Sequence, residues 1–246
     1  RPNNYPGPAN LMRKMACNFG WDWGPTLVTA GLWQPVRLES WSGARLGSVR
    51  PEITLDGADG CVCLAVDLDR TAARPMRLRA RIAGVSAEIA VPPDQGSVSL
   101  DLAVPSPELW WPHGLGGQRL YDLEVELLDE HGEPSDSWNR QIGFRSLRLD
   151  TSRDETGTAF TFIINDVPVY ICGANWIPDD CFLPRVTPER YAARIGQAKD
   201  ANINMLRVWG GGIYETDAFY EECDRVGMLV WQDFLFACAA YPEEGD

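Results

Sequence analysis

The segment Met76-Arg77-Leu78-Arg79-Ala80-Arg81-Ile82 alternates apolar and basic side chains without a break. Because successive side chains of a β-strand point to opposite faces, this alternation predicts a strand with one apolar face and one arginine face. Three other segments share the period of two, at 62–68, 98–104 and 121–127. Turn residues separate the strands, at Asp56-Gly57, Asp59-Gly60, Pro92-Pro93-Asp94 and His131-Gly132. The pattern predicts a domain built from short β-strands.

These strands lie between residues 45 and 149. A stretch of about 100 residues with short alternating strands is typical of a complete immunoglobulin-like β-sandwich, in which two sheets enclose one core. Residues 1–44 are too few for a domain of their own. They contain Phe19-Gly20-Trp21-Asp22-Trp23-Gly24-Pro25 and a strand-like run at 32–39, and we interpret them as the end of a further β domain.

The periodicity changes after about residue 150. The continuous apolar run 167–173 predicts a strand that is buried on both faces. Two helices are predicted, one beginning at Thr187-Pro188-Glu189 and one running from Thr216-Asp217 to a stop at Gly227. Further strands are predicted at 203–209 and 228–233. Strand, helix, strand, helix, strand is the beginning of a parallel α/β domain, so the chain combines β and α/β architecture.

Composition excludes several classes of function. Of the 246 residues, 22 are Lys or Arg and 35 are Asp or Glu, which gives a net charge of −13. So acidic a surface argues against a nucleic-acid partner, and the absence of a long apolar run argues against a membrane partner. The seven cysteines fit no zinc or redox spacing, and we interpret them as small buried residues in a reducing, cytoplasmic setting.

Only two histidines are present, His113 and His131, and both lie in turn contexts. The sequence therefore has no H-E-x-x-H zinc motif and no Ser-His-Asp relay on a G-x-S-x-G turn, and we predict no metal and no cofactor. The ten tryptophans exceed what a core of this size needs, so we expect some of the rings to face a ligand.

Polar and aromatic residues follow the predicted parallel strands, at the edge where sites of α/β barrels are built. They are Asn175, Trp176, Arg207, Trp209 and Asp233. Arg207 lies in an apolar strand, which is compatible with a buried ion pair or with a role in orienting catalytic carboxylates. Trp209 precedes three glycines, so its indole can lie open to a cleft, where a sugar ring would stack on it. For each residue, a hydrogen bond at the end of the sheet is the structural alternative.

Trp21-Asp22-Trp23 places a carboxylate between two indoles, with Gly20 and Gly24-Pro25 on either side. The segment is either a tight β corner capped by Asp22 or a loop that enters a neighbouring pocket. Because the flanking glycines permit close approach, the second interpretation is favoured.

Six segments of the chain carry a resemblance to a known family, at 19–25, Trp110-Trp111-Pro112-His113-Gly114, Gly143-Phe144-Arg145, 173–179, 206–215 and 230–234. Taken in this order, they resemble the β-mannosidases of glycoside hydrolase family 2. The resemblance implies the end of a jelly-roll β-sandwich at 1–44, an immunoglobulin-like sandwich at 45–149, and the first three strands of a (β/α)8 TIM barrel at 150–246.

The resemblance also implies roles for the site residues. Asp22, between Trp21 and Trp23, would hold hydroxyls of the terminal mannose, and Trp209 would line the same subsite. Arg207 would lie near the catalytic carboxylates, with Asn175, Trp176 and Asp233 on the rim. The family's reaction is retaining hydrolysis by two Glu residues, which the resemblance places beyond residue 246, so we expect no catalytic residue in this chain. Glu215 and the Asp179-Asp180 pair match neither position.

The implied activity is that of a retaining exo-β-mannosidase, which hydrolyses terminal non-reducing β-D-mannose residues of a β-mannoside oligosaccharide. We expect the chain to be an inactive fragment of that enzyme. Alternatives within the family are an exo-β-glucosaminidase, a β-glucuronidase or a β-galactosidase. An alternative of another class is a non-catalytic carbohydrate-binding β-sandwich protein, which the predicted parallel strands argue against.

Overall fold

The computed structural model describes residues 9–243, which contain many short β-strands and few helices. The chain divides into two compact units. The sandwich unit comprises Leu38–Trp111 and Leu115–Tyr170, and the parallel unit comprises Arg1–Arg37, Pro112–Gly114 and Ile171–Asp246. The predicted domain boundaries after residues 44 and 149 stay predictions.

The sandwich unit contains ten strands in three antiparallel sheets. The strands are β1 (Ala44–Asp56), β2 (Asp59–Arg70), β3 (Met76–Ile82), β4 (Val85–Val91), β5 (Ser97–Val104), β6 (Tyr121–Leu128), β7 (Pro134–Ile142), β8 (Leu147–Asp150), β9 (Thr161–Ile164) and β10 (Val167–Val169). The sheet orders are β1-β2-β5, β4-β3-β6-β7 and β10-β9-β8. The first two sheets share one apolar core, so they form a two-layer sandwich.

Strand β3 has the predicted apolar face and arginine face. Leu78 and Ala80 are fully buried in the shared core. The arginines point the other way, and the two side-chain nitrogens of Arg79 bond Glu126 Oε2 of β6 at 3.0 and 2.8 Å. The strand predicted from period two is therefore confirmed residue by residue.

The turn predicted at Asp59-Gly60 is wrong, because both residues lie in β2. The turn between β1 and β2 is formed by Gly57 and Ala58, and Gly57 has a φ of 61°. Gly60 has a packing role instead, since a Cβ at this position would lie 2.4 Å from Cε1 of Phe144.

The parallel unit contains a three-stranded parallel sheet in the order β11-β12-β13. Its strands are β11 (Gly173–Trp176), β12 (Met205–Val208) and β13 (Leu229–Gln232), and its helices are α1 (Pro188–Asp200) and α2 (Asp217–Val226). Short 3-10 helices occur at Ala9–Leu11, Ala16–Asn18 and Leu183–Arg185.

Both predicted helices are confirmed. The Thr187 hydroxyl accepts the backbone N–H of Arg190, and Pro188 occupies the first turn of α1, where its missing N–H is not needed. Gly227 ends α2 in the left-handed conformation at φ 82°. Tyr191 and Ile195 of α1 and Phe219 of α2 lie in one core.

The prediction of one buried strand over 167–173 is wrong. Val167–Val169 pairs with Thr161–Ile164 as an antiparallel hairpin, and the parallel strand begins only at Gly173. Asn165 and Asp166 form the hairpin turn with φ values of 48° and 64°. Asn and Asp tolerate this conformation, so the dipeptide was a hairpin signal that the apolar run obscured.

The strand-like run 32–39 forms no strand in the structure. Leu32 is 87% exposed and Leu38 is 100% exposed, and Pro35 between them has no N–H to donate to a sheet. No helix within 9–243 is both long and apolar enough to cross a membrane.

Candidate functional site

The carboxyl ends of the parallel strands bring together three predicted side chains. Asn175 of β11 is the register partner of Arg207 of β12, and Arg207 Nη1 donates to Asn175 Oδ1 over 3.1 Å. Asp233 follows β13 and accepts from Arg207 Nε at 3.1 Å and from Nη2 at 2.7 Å. Asp233 Oδ2 also accepts the backbone N–H of Gly210 over 3.2 Å. This two-point ion pair fixes the guanidinium plane and the start of the glycine loop together.

Of the two interpretations of Arg207, the structure contains an ion pair, with Asp233, but the Arg207 side chain is not buried. Its side chain is 43% exposed, whereas that of Asp233 is 19% exposed. Arg207 is the last residue but one of β12, so its long side chain can leave the apolar run and reach solvent at the sheet edge.

A second group of predicted residues forms an indole cluster, which consists of Trp21, Trp23 and Trp209. The ring centroids of Trp21 and Trp209 are 4.7 Å apart and the rings meet edge to face. Trp23 lies 5.8 Å from Trp209 and 6.2 Å from Trp21. These separations are those of favourable aromatic pairs. The predicted rings are therefore brought together although about 190 residues separate them in sequence.

Backbone contacts hold the two segments of the cluster. Trp21 and Gly24 exchange backbone hydrogen bonds of 3.1 and 3.3 Å, which makes a tight turn with Asp22 exposed at its tip. The N–H of Cys17 donates to the carbonyl of Gly211 over 3.0 Å. A Cβ on Gly211 would lie 2.0 Å from Trp209 Cη2, so glycine is needed beneath this ring.

The cluster is only partly covered. Trp21 and Trp209 pack against a small core of Ala9, Ala16, Phe19 and Ala237, whereas Trp23 remains 43% exposed. An exposed carboxylate between indoles offers charge-assisted hydrogen bonds beside apolar ring faces. That combination suits a ligand with hydroxyl groups and C–H faces.

The predicted placement of Trp176 on the rim is wrong. Its side chain lies in the core of the parallel unit, 4.9 Å from the ring of Phe219 and 6.2 Å from that of Tyr191. Trp176 is the last residue of β11, and its side chain points to the helix-covered face of the sheet rather than to the edge.

Glu215 has a structural role that its sequence context did not predict, and it is 8% exposed. Trp176 Nε1 donates to Glu215 Oε1 over 2.9 Å, and the Tyr191 hydroxyl donates to Oε2 over 2.5 Å. Burial raises the pKa of Glu215, and the two hydrogen bonds oppose this rise. The only local signal was its position directly before the helix cap Thr216.

The remaining carboxylates near the sheet serve ion pairs. Asp179 bonds Arg190 and Arg194 of α1, and Asp180 bonds Arg190. Within the described residues, no group of His, Cys, Asp and Glu could hold a metal ion.

Two parts of the chain match known families. Residues 46–145 match the family described as glycosyl hydrolases family 2. Residues 2–34 match a family described as glycosyl hydrolase 2 galactose-binding domain-like.

Two relatives align along nearly the whole chain and a third aligns along most of it. Beta-mannosidase B of Aspergillus niger is 38% identical, over 96% of this chain and 28% of its own length. The crystal structure of a β-D-mannosidase from Dictyoglomus thermophilum is 42% identical with a TM-score of 0.93, over 99% of this chain and 31% of its own. An exo-chitosanase from Amycolatopsis orientalis shares the fold at 22% identity and a TM-score of 0.67, over 79% of this chain and 23% of its own. The chain spans less than a third of the length of these relatives.

Proposed function

Because the chain carries glycosyl hydrolase family 2 domains and is homologous to β-mannosidases, we propose that it is part of a retaining exo-β-mannosidase. The enzyme would hydrolyse terminal non-reducing β-D-mannose residues of manno-oligosaccharides. The observation that carries the proposal within this chain is the indole cluster with Asp22 at the tip of its turn.

The cluster would bind the terminal sugar. The C–H face of the pyranose would lie on an indole, and the Asp22 carboxylate would accept hydrogen bonds from ring hydroxyls. Arg207, Asn175 and Asp233 would form the polar floor at the carboxyl edge of the sheet. In this arrangement Trp176 supports the site from the core and does not touch the sugar.

The reaction would need two further carboxylates. Retaining glycosidases place an acid/base and a nucleophile about 5–5.5 Å apart. Glu215, Asp179 and Asp233 are engaged in the hydrogen bonds and ion pairs described above, which disfavours them for this chemistry. We therefore infer that both catalytic Glu residues belong to a part of the full-length protein beyond residue 246.

The same inference extends to the domains. Residues 1–44 would be the end of a jelly-roll sandwich, 45–149 an immunoglobulin-like sandwich, and 150–246 the first three strands of a (β/α)8 barrel. Two observations support this division. The two sheets formed by β1 to β7 enclose one core, and β11, β12 and β13 form a parallel sheet in chain order.

The alternative substrates are separated by a panel of aryl glycosides. The full-length protein should hydrolyse the β-D-mannoside and act far less on the β-glucosaminide, β-glucuronide and β-galactoside. Proton NMR should detect β-mannose as the first product, as retention requires. A preference for another glycoside would replace the proposed substrate, and no hydrolysis of any would favour a carbohydrate-binding protein. The higher identity to the Dictyoglomus β-D-mannosidase than to the exo-chitosanase supports mannose.

The sugar-binding role of Asp22 is tested in the full-length protein by Asp22→Ala, with Asp94→Ala in an exposed turn of the sandwich unit as matched control. If Asp22 binds a hydroxyl in the transition state, kcat/KM should fall about 100-fold or more, which is about 3 kcal/mol. Asp94→Ala should leave kcat/KM unchanged. An unchanged value for Asp22→Ala would leave Asp22 with only a structural role in its turn.

The position of the catalytic pair is tested by assaying the 246-residue chain alone on an aryl β-mannoside. We expect no turnover. Hydrolysis by this chain would refute the placement of both catalytic Glu residues beyond residue 246.

A further inference from the structure

We infer that Glu215 is a positioning residue that sets the orientation of the Trp209 indole through a buried brace. The brace consists of Glu215, Trp176 and Tyr191, and it closes the loop 209–215 against the core. The inference rests on the proposed function in one respect, which is the sugar-facing role of Trp209.

Burial makes Glu215 unusual among the described residues. Glu215 is the only buried acidic or basic residue there, and the other buried polar residues are Asn10 and Asn18. A buried carboxylate is expensive unless its oxygens accept hydrogen bonds. Each of its oxygens has a separate donor, at 2.9 Å from Trp176 and 2.5 Å from Tyr191. The carboxylate is therefore fixed in both position and direction.

Both donors are themselves immobilised. The Tyr191 side chain lies in the core with the residue 2% exposed, and Trp176 is 8% exposed. Both rings pack against Phe219 of α2, at centroid distances of 5.7 and 4.9 Å. The brace thus ties the loop to β11, α1 and α2 together.

Trp176 holds both ends of the loop. Its carbonyl accepts the backbone N–H of Trp209 over 3.0 Å, and its indole N–H donates to Glu215. Between these ends, the N–H of Gly212 donates to the Trp209 carbonyl over 3.1 Å, and a Cβ on Gly212 would meet Pro178 at 2.9 Å. The loop has little room to shift while both ends are held, so the ring above Gly211 keeps its place.

Hydrogen exchange tests the brace without relying on activity. In the full-length protein, Glu215→Ala should speed the exchange of the 210–214 backbone amides about tenfold or more, because it removes two hydrogen bonds from the loop end. Glu215→Gln can still accept from Trp176 and donate to the Tyr191 oxygen, so its exchange should stay within about twofold of the wild type. Glu155→Ala, in an exposed loop of the sandwich unit, is the control and should change nothing in 210–214.

Unchanged exchange at 210–214 in a folded Glu215→Ala variant would overturn the proposal. If that variant does not fold, Tyr191→Phe removes one donor and keeps the ring. It should speed exchange about threefold, and no change there would overturn the proposal as well.

Kinetics test whether the brace acts through Trp209. On an aryl β-mannoside, Glu215→Ala should raise KM about tenfold with a smaller change in kcat, and Glu215→Gln should restore KM. In a Trp209→Ala background, Glu215→Ala should add less than about twofold, because the ring it positions is gone. Additive effects of the two substitutions would overturn the action through Trp209.

The two proposals fail separately. If the wild-type protein hydrolyses no aryl glycoside, the proposed function fails, and the exchange experiment still decides whether Glu215 braces the loop.

The pH dependence of stability gives a further readout. The groups that act on Glu215 electrostatically are Tyr191, Asp179, Tyr220 and Cys17. Burial raises the pKa of Glu215, so the folded state retains this proton more tightly than the unfolded chain. The resulting stabilisation is complete below the ordinary pKa of glutamate and is lost as pH rises through the raised pKa. The stability of the wild type relative to Glu215→Gln should therefore fall with rising pH, and an identical pH dependence would contradict the buried carboxylate.

Discussion

The sandwich unit and the parallel unit use charged side chains in opposite ways. The shared core of β1 to β7 is lined by apolar side chains, and the arginines of β3 pair with glutamates on the partly exposed face. In the parallel unit, Glu215 lies in the interior, and Arg207 and Asp233 pair at the edge of the sheet.

The difference follows from strand geometry. An antiparallel strand with one covered face separates apolar from polar residues along its whole length. The parallel strands are four residues long, so their polar residues stand at strand ends, where loops decide which way each side chain points. We infer that the sandwich unit contributes stability and that the parallel unit contributes the site.

The largest expected effect is on the sandwich core. Leu78→Ala should destabilise this unit by about 2–5 kcal/mol, because Leu78 is fully buried and its removal leaves a cavity. Arg77→Ala, at the adjacent residue on the other face, should cost no more than about 1 kcal/mol, since its ion pair with Glu88 is exposed. Native-state hydrogen exchange of the β3 amides measures both. Equal losses would break the two-face interpretation of the sheet.

The next effect concerns the edge of the parallel sheet. Asp233→Ala removes both bonds to Arg207 and the bond to the Gly210 N–H. The parallel unit should lose about 1 kcal/mol of stability. This is a small loss for a charged hydrogen-bonded pair, because the Arg207 side chain is 43% exposed and solvent screens the interaction. Exchange of the Gly210 amide would report the loss. If that amide were unaffected, the ion pair would not hold the glycine loop.

Sequence alone predicted much of this architecture. Period two predicted β3 correctly, and the caps Thr187 and Gly227 correctly bounded α1 and α2. These signals are local, since a strand's alternation and a helix's cap need no distant partner. The run 167–173 failed for the same reason, because whether apolar residues pair as a hairpin or in a parallel sheet depends on partners elsewhere.

For the site, the sequence predicted which side chains lie close together better than where each side chain points. Trp21, Trp23 and Trp209 were expected together and are in contact. Trp176 was expected on the rim and lies in the core, one residue after Asn175, whose side chain reaches Arg207. Adjacent strand residues point to opposite faces, and only the tertiary structure determines which face is the rim.

The end of α2 provides an effect of similar size in the parallel unit. Gly227 has φ 82°, a conformation in which a Cβ is strained. Gly227→Ala should therefore cost about 1–2 kcal/mol in the stability of this unit, measured by exchange of the α2 amides. A neutral result would mean that the helix end can relax into another conformation without loosening the core.

The smallest expected effect is a gain in stability, and it also comes from replacing a glycine by alanine. Gly196 lies inside α1, and a Cβ built there meets no atom within 4 Å. Gly196→Ala should therefore stabilise the parallel unit by about 0.5–1 kcal/mol, because alanine loses less backbone entropy in a helix. The slower exchange of α1 amides in this variant is the expected observation, with Gly227→Ala as the matched comparison. Destabilisation by Gly196→Ala would show that this position is packed against something in the full-length protein. Comparing the two substitutions would then separate two causes of a stability change. Gly227→Ala reports backbone strain, which this chain alone determines, and Gly196→Ala reports surface packing, which the rest of the protein can alter.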